Sequence, residues 1–320
     1  MLTSFLNTPF KIGDLTLSNR LIQGPLAGFS CAPFRQMYSR YESPAYCVSE
    51  MISAHDVIHK HQPESRYLYR APNEAVLCYQ LAGNDPVTLA RAAHHVERLG
   101  ANLIDINCGC PKTKIRKKGA GSALLDQPEQ LSNIINAVRS AISIPLTVKI
   151  RIFGDMRDID LAIRIQDAGA DALIVHGRRW TEDYDISCDL SQIARIKKAI
   201  SIPVIANGDM GSKSSLLTAF ENTGCDAYMI SRAGSGQPWL YQHLLLDSPF
   251  NETIGLDEQF CCFMMHLEGL ASLESEHKAV LQSKSLVRYY FRTTLSDAYL
   301  SDFYRLTRLC DIAIFLNTHL

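Results

Sequence analysis

The 320-residue sequence predicts an α/β chain, a (β/α)8 TIM barrel followed by a small C-terminal helical bundle. Three observations carry this reading. Short apolar, β-branched runs recur at 21–25, 46–51, 75–82, 103–107, 146–151, 172–176, 203–207 and 227–231. Such continuous apolar character is the pattern of parallel strands buried on both faces. Most neighbouring runs are separated by segments of helical periodicity, at 87–99, 128–142, 158–168, 190–200 and 214–223. Eight strand–helix units over about 230 residues match the usual barrel size. A doubly wound open sheet is the rival, but no Gly-rich dinucleotide fingerprint follows the first run.

Upstream, residues 10–17 alternate around Gly13-Asp14 and read as a short hairpin capping the bottom of the barrel. Composition shifts at Asp247-Ser248-Pro249-Phe250-Asn251, which places a domain junction there: 1–246 for the barrel and 247–320 for the tail. The tail carries apolar residues at helical spacing over 257–275, 278–295 and 302–317. No acid falls between Glu276 and Asp297, and Lys284, Arg288 and Arg292 recur every fourth residue, so they line one helix face. A solvated face is the plain reading of that stripe; a phosphate-binding face is the other.

A net charge of −1 gives no global nucleic-acid signature, so any polyanion must meet local patches. No run of 18 apolar residues occurs, and Met1-Leu2-Thr3-Ser4 does not open a signal peptide. The ten cysteines are irregularly spaced and form no secreted disulfide framework, which suits a reducing cytoplasm. No metal is expected: zinc wants four ligands, and no second cysteine pair accompanies Cys108 and Cys110.

In a barrel the strand C-termini build the site. The fourth run delivers Asn107-Cys108-Gly109-Cys110-Pro111 to a Gly/Pro corner beside Lys112, Lys114, Arg116, Lys117 and Lys118. Cations favour a thiolate and attract phosphate, so Cys110 reads either as reactive or as an inert buried thiol. The first run ends in the small-residue corner Pro25-Leu26-Ala27-Gly28, the second at Glu50 and the third at Gln80. In Thr147-Val148-Lys149-Ile150-Arg151 the alternation turns both cations into the barrel mouth. There they meet either a lumen acid, Asp105 or Glu50, or a bound anion. The sixth run ends His176-Gly177-Arg178-Arg179-Trp180, a set able to grip phosphate and stack on a base. Asn207-Gly208-Asp209 and Ser231-Arg232-Ala233-Gly234 end the last two runs, the usual phosphate site of a barrel.

Read in order, Pro25-Leu26-Ala27-Gly28 with Phe34-Arg35, the Asn107–Pro111 string, Gly119-Ala120-Gly121-Ser122-Ala123-Leu124-Leu125, Lys149-Ile150-Arg151, His176-Gly177-Arg178, Ile205-Ala206-Asn207-Gly208-Asp209 and Gln237-Pro238-Trp239 resemble the tRNA-dihydrouridine synthases. The likeness runs from about residue 12 to 239, and the tail matches only loosely. It implies an FMN-dependent barrel in which NADPH reduces the flavin and the flavin reduces a D-loop uridine of tRNA. Hydride then goes to C6 of uracil, and the cysteine at the Cys110 position protonates C5 as general acid. By the same resemblance Lys149 lies beside the flavin pyrimidine. Pro25, Leu26, Ala27, Gln80 and His176 contact the flavin, and Asn207, Gly208, Asp209, Ser231 and Arg232 take its phosphate end. Asn107 and Arg178 meet substrate. A monomer is expected. Departures from the family pattern are Ser231, Arg179, Trp180, Glu182 and Ser30-Cys31. Two rivals stand beside this reading: another FMN barrel oxidoreductase acting on a small molecule, and a non-catalytic RNA-binding barrel.

Overall fold

The computed structural model describes residues 1–74, 76–246, 254–292 and 294–320. Eight parallel strands close on themselves: β1 (Leu21–Gln23), β2 (Tyr46–Val48), β3 (Leu77–Ala82), β4 (Leu103–Cys108), β5 (Leu146–Arg151), β6 (Ala172–His176), β7 (Val204–Asn207) and β8 (Ala227–Ile230). Closure comes from the β8–β1 and β2–β3 pairings, so this is a barrel and not an open sheet. β3 and β4 are buried at every position, as strands covered by helices outside and side chains inside must be.

The helices that follow the strands are α1 (Ala32–Gln36), α2 (Ala54–His59), α3 (Pro86–Arg98), α4 (Pro128–Ala141), α5 (Arg157–Asp167), α6 (Leu190–Ala199), α7 (Lys213–Thr223) and α8 (Leu240–Leu245). Their starts are written locally. Asp85 accepts from the Thr88 N–H at 2.7 Å ahead of Pro86, and Asp189 accepts from the Gln192 N–H at 2.9 Å. Ser212 and Ser215 cap α7 reciprocally, and Gly224 ends it in the left-handed conformation at φ 62°.

The expected hairpin is present, Phe10–Ile12 against Leu15–Leu17. Its Phe10, Ile12 and Leu17 join Leu103, Ala172, Ile205 and Ala227 from the strand starts in one apolar cluster, which plugs the barrel bottom. The tail forms α9 (Leu256–Leu273), α10 (Glu276–Tyr290), α11 (Asp297–Phe303) and α12 (Leu309–His319). Two expectations are corrected here. The 278–295 helix stops at Tyr290, because Phe291 leaves helical geometry (φ −113°, ψ 50°) and buries its ring against Phe263. The 302–317 helix is two helices, folded so that Phe303 and Phe315 meet at 6.0 Å. The expected junction at 247–251, and Ala75 at the start of the third run, lie outside the described residues.

Candidate active site

The C-terminal strand ends surround a cavity of about 810 Å³, within the range of small-molecule sites. Pro25, Leu26 and Ala27 line it from the loop after β1, Gln80 from β3, Asn107 and Cys110 from β4, and Lys149 and Arg151 from β5. His176 enters from β6, with Asn207, Gly208 and Asp209 after β7 and Ser231 and Arg232 after β8.

A chain of buried polar groups fixes the Cys110 corner. Asp105, fully buried, accepts from Thr147 Oγ1 and from Gln80 Nε2, both at 2.7 Å. Gln80 Oε1 accepts from Asn107 Nδ2 at 2.8 Å, and Asn107 Oδ1 accepts from the Cys110 N–H at 3.0 Å and the Gly109 N–H at 3.3 Å. From the other side, Ser122 N–H and Oγ donate to the Cys110 carbonyl at 3.1 and 3.0 Å. The thiol is thus held at the cavity edge while Cys108 beside it is sealed in the core. Gln80 and Asn107 therefore spend much of their bonding on this chain. Sequence reasoning named both as ligand contacts and missed it; their spacing in parallel register, Gln80 opposite Asp105 and Asn107 opposite Lys149, was the available signal.

Lys149 has no hydrogen bond or close ion pair among the described residues, and Glu50 is taken by Arg66 at 2.7 Å. Burial lowers the Lys149 pKa while Asp105 opposes the shift, and burial raises the Asp105 pKa. Among the described residues no lumen acid pairs with Lys149 at bonding distance, and the ammonium faces the cavity. Burial, reinforced by Lys149, Arg151, Arg178 and Arg232, pushes the His176 pKa down to about 2, so the imidazole is neutral. Its Nδ1 is buried with no hydrogen-bond partner among the described residues, a group that a ligand would satisfy.

After β7 and β8 the chain is shaped for close approach. A Cβ on Gly211 would lie 2.2 Å from that of Ala233, and Gly208 has φ +115°. The cavity there is also lined by Ser212 and Ser215, at the N-terminus of α7, beside Arg232. Sequence reasoning missed both serines, although the Ser-x-x-Ser cap is a start signal. An apolar ledge, an unpaired ammonium, an unsatisfied imidazole nitrogen and a helix N-terminus with glycines fit a flat ring carrying a phosphate. FMN is such a molecule.

A family model described as dihydrouridine synthase (Dus) matches residues 22–305. The chain belongs to the dihydrouridine synthase family. Among similar curated proteins, tRNA-dihydrouridine synthase B of Vibrio vulnificus (strain CMCP6) is 35% identical over 288 residues, covering 88% of this chain and 89% of that one. Its namesake from Pseudomonas aeruginosa is 36% identical over 289 residues, covering 88% and 87%. Among solved structures, morphinone reductase superposes with a TM-score of 0.55 at 15% identity, covering 77% of this chain and 91% of that one. An old yellow enzyme homologue from Zymomonas mobilis gives 0.55 at 14%, covering 78% and 94%. These two share the barrel.

The departures of this dihydrouridine synthase from its family pattern have local partners. Ser231 has a local partner, its Oγ accepting from Asn207 Nδ2 at 3.3 Å. Glu182 accepts from the Arg179 N–H at 2.7 Å, and the Trp180 ring lies under the Arg116 guanidinium at 3.6 Å. Ser30 Oγ holds the loop after β1 by accepting from the Leu26 N–H at 3.0 Å, and Cys31 turns toward His266 of α9 at 3.8 Å.

Two placements, those of Arg178 and Arg292, correct the expected site. Arg178 does not face the mouth. It is 1% exposed and clamps both Asp209 oxygens at 2.7 Å, with further bonds to the Ile186 and Tyr184 carbonyls. A buried guanidinium needs a carboxylate, and the left-handed Asp209 (φ 54°) supplies it. The Asp209 carboxylate is engaged by Arg178 and stands 3.6 Å from Arg232, while Asp209 still lines the cavity. Arg292 lies beyond the end of α10, so it leaves the stripe formed by Lys284 and Arg288 and turns toward the barrel.

Proposed function

We propose that this chain is an FMN-dependent tRNA-dihydrouridine synthase that reduces a D-loop uridine of tRNA to 5,6-dihydrouridine, with NADPH as the reductant. The observation that carries this is the braced Cys110 thiol opening into the same cavity as the Lys149 ammonium and the Pro25–Leu26–Ala27 ledge. When bound, FMN supplies the hydride equivalents. Pro25, Leu26 and Ala27 bear against the ring. Lys149 would offset negative charge on the bound ring, and neutral His176 would offer it a hydrogen bond without adding charge. Gly208, Gly211, Ser212, Ser231 and Arg232 take the phosphate, helped by the α7 N-terminus.

Cys110 Sγ donates the proton to C5 of the target base, and solvent at the cavity mouth returns one to the thiolate. Asn107 acts by fixing the backbone of that corner. The base must leave its stack, which a loop nucleotide does at low cost compared with a paired one. Lys112, Lys114, Lys117 and Lys118 near Cys110, with Lys284 and Arg288 on α10, meet tRNA phosphates. We assign 1–246 to catalysis and 247–320 to tRNA binding, in a cytoplasmic monomer. No helix among the described residues is long and apolar enough to cross a membrane.

The test is nucleoside mass spectrometry of unmodified tRNA incubated with the purified chain and NADPH. Dihydrouridine at a D-loop position is expected. A colourless protein that makes none, or a yellow one that turns over a free enone and ignores tRNA, would sink the reading.

A further inference from the structure

The loop after β8 is anchored from outside the barrel. Arg292, two residues past α10, places Nη2 3.2 Å from the Arg232 carbonyl, 3.3 Å from that of Ala233 and 2.9 Å from that of Ser235. Its Nε donates to the Tyr289 carbonyl at 3.2 Å, which ties the same guanidinium back to the helix end. A second contact lies beside it. A Cβ on Gly236 (φ +67°) would stand 2.8–2.9 Å from the Tyr289 carbonyl group and the Tyr290 nitrogen, so the loop and the end of α10 touch backbone to backbone.

We propose that Arg292 is a positioning residue for cofactor retention: from the tail it orients the 232–236 loop so that the Ala233 N–H meets the FMN phosphate. This rests on the FMN reading of the cavity above. In a trans peptide the C=O and N–H point opposite ways. A guanidinium gathering the Arg232 carbonyl on one side therefore aims the Ala233 N–H to the other, and Ala233 lines the cavity. The cation also polarises these peptides and strengthens their N–H groups as donors. Without it, three carbonyls of the loop lose their shared donor, while the short 3₁₀ turn Arg232–Gly234 keeps its own i+3 bonds.

A separate tether reaches the opposite side of the ring site. Glu50 accepts from the Gly28 N–H after β1 and from Arg66 Nε, and Arg66 in turn reaches Glu274 at the end of α9 and Gln282 on α10. The tail thus holds the loops on both sides of the β1–β8 seam, which makes a purely RNA-binding role for Arg292 the poorer account of its contacts.

The experiment follows flavin release from the holoenzyme after dilution, read as the rise of free FMN fluorescence. Arg292→Met keeps the stem and removes the donors; Arg292→Lys restores one charged donor. Met is expected to speed release roughly tenfold or more, the scale of one charge-assisted hydrogen bond, with Lys in between. Thermal melts of the flavin-free forms should coincide, which separates loop orientation from unfolding. If the wild type holds FMN and the Met variant releases it at the wild-type rate, the proposal is overturned. A salt slope for tRNA binding that flattens in the Met variant while FMN release is unchanged would return Arg292 to a phosphate contact. A wild type that takes up no FMN would instead remove the underlying reading of the cavity.

Discussion

Cys110 and Cys108 are two residues apart on one strand end, yet their surroundings divide chemistry from packing. Cys110 reaches the cavity and Cys108 is sealed in the core, with burial raising its thiol pKa well above the ordinary range. Cys110→Ala should keep FMN and its reduction by NADPH and lose tRNA reduction by about 10²–10⁴-fold, the usual worth of a general acid. Cys108→Ala should lower the melting temperature and leave turnover per folded molecule close to wild type. Equal kinetic losses in the two would end the assignment. Asn107→Ala removes the acceptor for two N–H groups of the corner, so single-turnover reduction should slow while FMN binding persists. The Gly, Pro and cation neighbours of Cys110 left its thiol open between a reactive and an inert reading, and the family resemblance alone singled it out as the acid. The Asp105–Gln80–Asn107 chain was not legible, because three polar residues on separate strands announce no contact until the register is known.

Buried histidines add a pH signature at the same scale. His176 is pushed down to about 2 and His266 to about 3, burial being the first cause in each. Both sit below the unfolded-state value near 6.5. As pH falls below about 6.5 the unfolded chain takes up protons that the folded chain refuses, so stability is lost on acidification. Each histidine contributes a slope of about 1.4 kcal/mol per pH unit until its folded pKa is reached. Denaturant titrations of the flavin-free protein between pH 7 and 5 should record this, and His266→Gln should remove close to half of it. An unchanged slope would mean that His266 titrates normally in the folded state.

At the scale of elements, the barrel helices were readable because capping residues and apolar periodicity agree: α3, α4, α6 and α7 begin within a residue or so of expectation. The tail was less legible. Its apolar spacing runs past Tyr290 and through 304–308, and only packing of Phe291 and Phe303 on Phe263 decides where helices stop. The loops after β7 and β8 illustrate what glycine does between elements. Gly211 lets the α7 entry pass against Ala233, where a Cβ would collide. Gly211→Ala must push these two loops apart, and neither backbone has a flexible tip to yield. We expect weaker FMN binding by equilibrium titration with an unaltered far-ultraviolet spectrum. Retained FMN affinity would show that the loops part without disturbing the phosphate site.

Over the whole molecule, net charge says nothing of a polyanion partner, and the answer lies in where the cations stand. The barrel and tail share a core: Phe34, Met37 and Tyr38 of the barrel pack in one cluster with Phe263, Tyr290 and Phe291 of the tail. This fixes α10 against the β8 loop, so Arg288 and then Lys284 step away from that end at about 6 Å per four residues. Among the described residues Arg288 bonds only the Tyr304 hydroxyl at 2.9 Å and an exposed Asp297 at 3.7 Å, contacts weak enough to exchange for phosphate. If both cations meet tRNA, each contributes roughly −0.7 to −0.9 to the slope of log K against log salt. Replacing Lys284 and Arg288 together with Ala should therefore flatten that slope by about 1.4–1.8 and weaken tRNA binding most at low salt. NADPH oxidation without tRNA should be untouched, since neither side chain lines the cavity. A double variant with wild-type affinity and slope would leave this stripe a solvated helix face, and the tRNA grip would have to come from the basic turn after Cys110 alone.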